Sequence, residues 1–319
     1  MATRLLVLEG DGIGPEISQA TVEVLRTADR LCGLDLRLEH RDIGLKALAT
    51  QGSTLPGDVL TLARSVDGVI LGPVSHNSYP PVNQGGLNPS GVLRKALDLY
   101  ANIRPARTPK GFEPYAGKPV DLVVVRENTE GFYADRNMFM GSGEFMPTPD
   151  VALAVRKITR QASMRIAQSA FELALTRRHQ VAVVHKANVL RVSDGLFLEC
   201  TREVAKRYPQ VQCREFIVDA MAALLVRDPG RFDVICTTNM FGDILSDEAA
   251  ELSGSLGLAA SLNAGDDHAM AQAQHGSAPD IAGQGLANPA SLIGSAAMLL
   301  DWLARRGAGP SFARAAGWI

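Results

Sequence analysis

Two aspartates in NMFGDILSDEAAEL, Asp243 and Asp247, are spaced i and i+4, which on a helix puts both carboxylates on one face. The apolar run at 232–236 just before them reads as a strand, and in open α/β sheets ligands gather beyond the carboxyl ends of strands. Oxygen donors placed there suit a hard cation such as Mg²⁺ or Mn²⁺; elsewhere the same spacing is an ordinary solvated face. Asp219, in FIVDAMA, ends another predicted strand and is either a further oxygen donor or a helix N-cap. Arg94 and Arg104 in GVLRKALDLYANIRPAR and Arg126 in VVVRENTEG supply guanidinium forks, which grip carboxylates in bidentate fashion. Converging, they suit a substrate with two or more carboxylates; singly, each is a surface arginine with local salt bridges. Lys186, in VAVVHKANVLRVSDG, is a base if a metal or buried acid lies beside it and otherwise a lysine reaching solvent. Tyr133, in TEGFYADR, is a proton donor or a packed aromatic.

Two small-residue segments have the chemistry of anion cradles. LEGDGIGPE, at 8–16, has the strand, glycine turn and helix order of a dinucleotide-binding turn. Its glycines, however, fall at G-x-G-x-G rather than G-x-G-x-x-G, and Pro15 removes an N–H where a phosphate needs one. A tight strand-to-helix turn is the alternative. HGSAPDIAGQGLANP, at 275–289, presents backbone N–H groups before a helix that Pro289 would start. Phosphates can lie against such a backbone and Asp280 can accept from a ribose hydroxyl; a loop wrapped on its neighbour, with His275 as a core histidine, is equally open.

The elements that must position these groups follow an α/β order. Apolar runs at 4–8, 67–71, 121–125, 181–184 and 232–236, with 212–219, read as strands, mostly covered on both faces. Segments 15–31, 151–175, 193–207 and 289–305 return apolar residues every three or four positions and read as helices. Segments 72–91 and 135–150 read as irregular. The second, DRNMFMGSGEFMPTPD, is too apolar for a solvated loop and is either folded on its own domain or an arm exchanged with a second subunit.

With 319 residues, the chain is long enough for two domains. Its 32 basic and 34 acidic residues leave no basic excess for a nucleic-acid surface. Cys32, Cys200, Cys213 and Cys236 lack C-x-x-C or metal-ligand spacing and read as reduced thiols. No signal-peptide pattern and no run of about 18 apolar residues is present, so a cytoplasmic chain without membrane association is expected.

Taken together, six blocks resemble one family, the metal-dependent β-decarboxylating dehydrogenases that act on isocitrate, homoisocitrate, 3-isopropylmalate and tartrate or D-malate. They are GDGIGPE (10–16), LRKALDLYANIRP (93–105), RENTEGFY (126–133), HKANVLRVSDGLF (185–197), FGDILSDE (241–248) and HGSAPDIAG (275–283). The resemblance implies a two-domain α/β fold that is not a Rossmann fold, with 1–98 plus 250–319 as the cofactor-side domain. Residues 99–249 would carry the metal and substrate residues and a dimerisation arm near 135–150. It implies a homodimer with shared active sites, in which Arg94, Arg104 and Arg126, with Ser90, hold a di- or tricarboxylate 2-hydroxy acid. Asp243 of one subunit and Asp219 of the other would bind Mg²⁺ or Mn²⁺, with Asp247 close by; Lys186, also from the other subunit, would be the base or proton relay and Tyr133 the acid. Ile13, His275, Gly276, Ser277, Ala278, Asp280 and Asn288 would contact the cofactor. Asp280, which would repel a 2′-phosphate, points to NAD.

Asn88, Pro89, Ser90 and Gly91 stand where isopropylmalate enzymes carry bulky aliphatic residues, which favours a polar C3 substituent or none. RENTEG and HKANVLRVSDGLF lie nearer the isocitrate and homoisocitrate side, whereas SHNSYPPVNQGGLNPSG matches no subfamily, which leaves malate and tartrate open. Gln272 replaces an acidic residue, so the network around the nicotinamide is expected to differ. Ending at Ile319, the chain is expected to have either a truncated first domain or that of a shortened subfamily. A regulatory, catalytically silent subunit is the rival from another class; the filled catalytic positions argue against it.

Overall fold

A computed structural model of the chain describes residues 2–133, 138 and 140–319. Two compact units divide it, Met1–Leu99 with Leu256–Ile319 and Tyr100–Ser255.

In the first unit the strands run in the order β2 (Leu36–Arg41), β1 (Thr3–Leu8), β3 (Gly68–Leu71), β12 (Ala269–Gln272) and β11 (Leu262–Ala264). All neighbours are parallel except β11 and β12. Strand side chains alternate faces, so β1 feeds two cores: Leu5 and Val7 pack in one, Leu6 and Leu8 in the other. The first core is closed by α1 (Gly14–Cys32), α9 (Ala290–Leu303) and α10 (Pro310–Trp318), the second by α3 (Gly57–Ala63) and α4 (Pro89–Ala96). A further short helix, α2 (Gly44–Gln51), follows β2. Two covered faces explain why the strand reads as an unbroken apolar run.

The second unit repeats the logic with the order β4 (Ala101–Arg107), β5 (Asp121–Glu127), β10 (Val234–Thr237), β8 (Gln180–His185) and β9 (Gln212–Ile217). Only β4 is antiparallel to its neighbour β5. Val123, Val125, Val181 and Val183 pack under α5 (Arg160–Leu175) and α6 (Ser193–Ala205). Leu122, Val124, Ala182 and Val184 pack under α7 (Val218–Arg227) and α8 (Asn239–Ser253). The expected α/β class is borne out.

Two local expectations differ from the fold. The apolar stretch 151–175 is not one helix: Val151–Ala154 forms β7, antiparallel to β6 (Glu144–Thr148), and α5 starts only after Thr159. Thr159 stops the helix from extending backward, its side chain accepting the Ala162 N–H as an N-cap. The strand expected over 212–219 ends at Ile217, so Asp219 lies in the first turn of α7. Of the expected arm at 135–150, Asp135, Arg136, Asn137 and Phe139 lie outside the described residues. Among the described residues no helix is long and apolar enough to cross a membrane.

Candidate active site

In the second unit, β5 is buried along all but its first residue and carries Arg126, 1% exposed, near its carboxyl end. A guanidinium that deep must spend its donors. Nε and Nη2 donate to Asn239 Oδ1 at 3.0 and 2.7 Å, Nη2 also donates to the Tyr133 hydroxyl at 2.7 Å, and Nη1 pairs with Asp243. The Tyr133 hydroxyl in turn donates to the other Asp243 oxygen at 2.7 Å. On the antiparallel neighbour β4, Arg104 donates from Nε to Asn102 Oδ1 at 2.6 Å. Its Nη1 donates to Ser246 Oγ at 2.8 Å and lies 3.1 and 3.2 Å from Asp243 and Asp247. Both aspartates project from the same face of α8, as their spacing requires.

Burial, together with the like charge of Arg126, lowers the Arg104 guanidinium to about 10 against the opposing pull of Asp243 and Asp247. It stays charged at neutral pH. Two guanidiniums thus face two carboxylates, and the side chains of Asp243 and Asp247 are still 38% and 48% exposed.

Lys186 follows β8, and its Nζ pairs with Asp219 across to the start of α7; this contact holds the Asp219 carboxyl below the usual carboxylate range. The Lys186 N–H donates to Asp194 Oδ2 at 2.5 Å. Asp194, fully buried, also pairs with Arg156, which reaches Ser193 Oγ and Thr238 Oγ1 at 3.1 Å each. Because Thr238 is the N-cap position of α8, one buried ion pair braces both the lysine segment and the aspartate helix. Within a single chain Asp219 stands with Lys186, and Asp243 and Asp247 stand with Arg104. Among the described residues no three acidic, histidine or cysteine side chains converge on a metal position.

In the first unit, α4 carries Ser90 and Arg94 one turn apart, both buried. Asn88 caps the helix by accepting the Gly91 N–H at 3.3 Å, and Pro89 supplies its first turn. Ser90 Oγ and Arg94 Nη2 both donate to Gln272 Oε1, at 3.1 and 2.9 Å.

The glycine turn is a platform for the 275–289 loop. Gly12 has φ +57°, and a Cβ there would stand 2.0 Å from the Ser277 carbonyl oxygen. The Ile13 N–H, which a phosphate would use, donates to that same carbonyl at 2.9 Å. Ser277 Oγ meets Ser75 Oγ at 2.7 Å, and buried Asp11 accepts from the N–H groups of Leu45 and Ser75 and from the Tyr79 hydroxyl. Ile13 and Ser277 are therefore buried supports, while Gly276, Asp280 and Asn288 are exposed and Ala278 takes a positive φ. His275 Nδ1 lies 2.9 Å from the Gly276 carbonyl, and its buried Nε2 has no hydrogen-bond partner among the described residues. Asn88 and Asn288 both act through their side-chain oxygens at helix starts, the latter accepting the Ala290 N–H at 3.0 Å.

Asn102, Asn239, Ser246, Arg156 and Asp194 are structural partners that the sequence reading did not single out. Asn239 had a spacing signal, one turn before Asp243; Asp194 lies inside the quoted SDG stretch.

The model for isocitrate/isopropylmalate dehydrogenase matches residues 4–311. A homoisocitrate dehydrogenase of Methanocaldococcus jannaschii is 40% identical over 313 residues, 95% of this chain and 86% of its own. A 3-isopropylmalate dehydrogenase of Saccharolobus solfataricus is 43% identical over 302 residues, 94% of this chain and 84% of its own. The solved isocitrate dehydrogenase of Methylococcus capsulatus superposes with a TM-score of 0.85 at 41% identity, covering 98% of this chain and 88% of that one. With both sequence and fold matched over nearly its whole length, the chain belongs to the isocitrate/isopropylmalate dehydrogenase family of oxidoreductases.

Proposed function

We propose that the chain catalyses NAD-dependent oxidative decarboxylation of a 3-substituted malate, an isocitrate- or homoisocitrate-like 2-hydroxy acid, to a 2-oxo acid and CO₂. The bonded cluster of Arg104, Arg126, Tyr133 and Asp243 carries this reading, because it sets carboxylate-binding forks and a proton donor around one exposed carboxylate. Arg104 and Arg126, with Arg94 and Ser90, hold the substrate carboxylates. Lys186 of a second copy, which stands with Asp219, takes or relays the C2 hydroxyl proton while hydride leaves C2. Loss of the carboxylate β to the new ketone leaves an enolate, which Tyr133 protonates at C3.

NAD⁺ supplies the hydride acceptor. The His275 Nε2, without a hydrogen-bond partner among the described residues, the exposed Asp280 carboxylate and the glycine-backed loop fit a dinucleotide, with Ile13, Gly276, Ser277, Ala278 and Asn288 around it. Asp280 favours free ribose hydroxyls over a 2′-phosphate; equal or better efficiency with NADP would refute that choice. Mg²⁺ or Mn²⁺ supplies Lewis-acid stabilisation of the C2 oxygen. The oxygen donors Asp243 and Asp247 fit such an ion when joined by Asp219 of a second copy. Exposed Met240 and Ile244 flank Asp243 one turn apart on α8, and Val189 and Val192 follow Lys186, which supports a homodimer with shared sites. The first unit is then the cofactor side, and β6 and β7, with exposed Phe145, Met146 and Leu153, belong to the dimerisation arm. The absence of a bulky aliphatic side chain at 88–91 supports a polar C3 substituent over an isopropyl group.

Lys186→Ala and Tyr133→Phe test the roles: each is expected to lose at least about 100-fold in kcat, as removal of a general acid or base does. Full turnover by both would sink the assignment.

A further inference from the structure

Asn239 opens α8 one turn before Asp243 and is wholly buried. Asparagine near a helix start ordinarily bonds that helix's own N–H groups. This one does not. Its Oδ1 accepts from Arg126 Nε at 3.0 Å and Nη2 at 2.7 Å, and its Nδ2 donates to the Glu130 carbonyl at 2.9 Å. Guanidinium nitrogens only donate and a carbonyl oxygen only accepts, so the amide fits one way round. Glu130 lies three residues beyond the end of β5, so both ends of the amide are held by the strand of Arg126 and the chain leaving it. The helix also lies directly against the arginine stem, because Gly242 has no side chain: a Cβ there would stand 2.6 Å from Arg126 Cγ.

A guanidinium offers two pairs of donors, one along its Nε–Nη2 edge and one across its Nη1–Nη2 end. Asn239 occupies the edge with a single oxygen. The end is thereby turned to Asp243, which pairs with Nη1, and to the Tyr133 hydroxyl, which Nη2 reaches at 2.7 Å. Without the amide the buried head would keep its charge but lose the contact that fixes its edge. We propose that Asn239 is a positioning residue: it holds the Arg126 guanidinium by one edge so that its end faces the substrate carboxylate beside Tyr133. The inference rests on the reading of Arg126 as a substrate-binding residue given above.

A double-mutant cycle is the test. Binding of isocitrate and of homoisocitrate, with Mn²⁺ and without NAD, is measured by calorimetry for the unaltered chain, Asn239→Ala, Arg126→Lys and the chain with both changes. Each single change is expected to weaken the better-bound acid about tenfold. Together they are expected to weaken it no more than about threefold beyond Arg126→Lys alone, because Asn239 acts through the fork. KM for NAD is expected to stay within about threefold in Asn239→Ala. A purely structural role would lower the melting temperature and leave the acid's affinity unchanged, or would add to Arg126→Lys to give a loss of about 100-fold; either result overturns the proposal. If the alanine chain does not fold, Asn239→Ser, whose hydroxyl stops short of Arg126, takes its place under the same criteria. Affinity untouched by Arg126→Lys, or no binding by the unaltered chain, would strike the reading of Arg126 and the proposal with it. Loss with Arg126→Lys but not with Asn239→Ala would strike the proposal alone.

Discussion

In the unit formed by Tyr100–Ser255, Arg104 and Arg126 are held by Asp243, Asp247 and side-chain amides, and Arg156 pairs with the fully buried Asp194. In the other unit, Gln272 holds Arg94 and Ser90 without a charge, and the 275–278 loop rests on the backbone of the glycine turn. The contrast separates two ways of fixing a reactive group. Ion pairs fix direction at the cost of desolvation and make stability depend on every partner. Neutral hydrogen bonds and close backbone approach fix position with less energy at stake and leave the local charge unaltered.

Removing one buried partner should expose that difference most sharply. Arg156→Leu leaves the Asp194 carboxylate uncompensated, and urea unfolding is expected to show a loss of about 3–5 kcal/mol. A loss below about 1 kcal/mol, as for a surface ion pair, would mean that the brace carries no such burden. Next comes Arg126→Lys, which keeps the charge but loses the planar fork; kcat/KM is expected to drop about 100-fold. Retention of half the activity would show that a point charge suffices there.

Glu130 offers a pH test of the same unit. Burial, with Glu127 beside it, pushes its carboxyl up to about 7 from an ordinary 4.5, although it accepts the Thr159 N–H at 2.7 Å. The folded chain therefore holds a proton that the unfolded chain has released between those values. This contribution to stability is fully present below about pH 4.5 and is lost as pH rises through about 7. Glu130→Gln is expected to flatten that decline and to stabilise the chain above pH 8 by roughly 2 kcal/mol. An unchanged slope between pH 5 and 8 would contradict it. Smallest is Gly12→Ala, whose Cβ must displace Ser277: KM for NAD is expected to rise about tenfold with little change in KM for the hydroxy acid. Equal shifts in both would dissolve the distinction between the two units.

β1 and β5 were legible because both their faces are covered, so 5–8 and 122–125 are apolar at successive positions. β4 was not, since Arg104, Pro105 and Arg107 break its apolar run, and β11 and β12 are too short to show a period. The hairpin β6–β7 was misread because Val151, Val155 and Ile158 return at helical intervals that run on toward α5, while Val151, Leu153 and Val155 alternate as in a strand, and periodicity alone does not choose. Charged members of the candidate site announce themselves at strand ends, as Arg126 and Lys186 do. Among the neutral supports, Asn239 has only its spacing to Asp243 and Ser246 has no signal; the folded arrangement brings them to Arg126 and Arg104.

The most direct measurement is a panel assay with isocitrate, homoisocitrate, isopropylmalate, malate and tartrate, each with NAD or NADP and Mn²⁺. NADH formation with CO₂ release is expected on isocitrate or homoisocitrate, with NAD preferred. No activity on any of the five would contradict the account and favour a regulatory subunit.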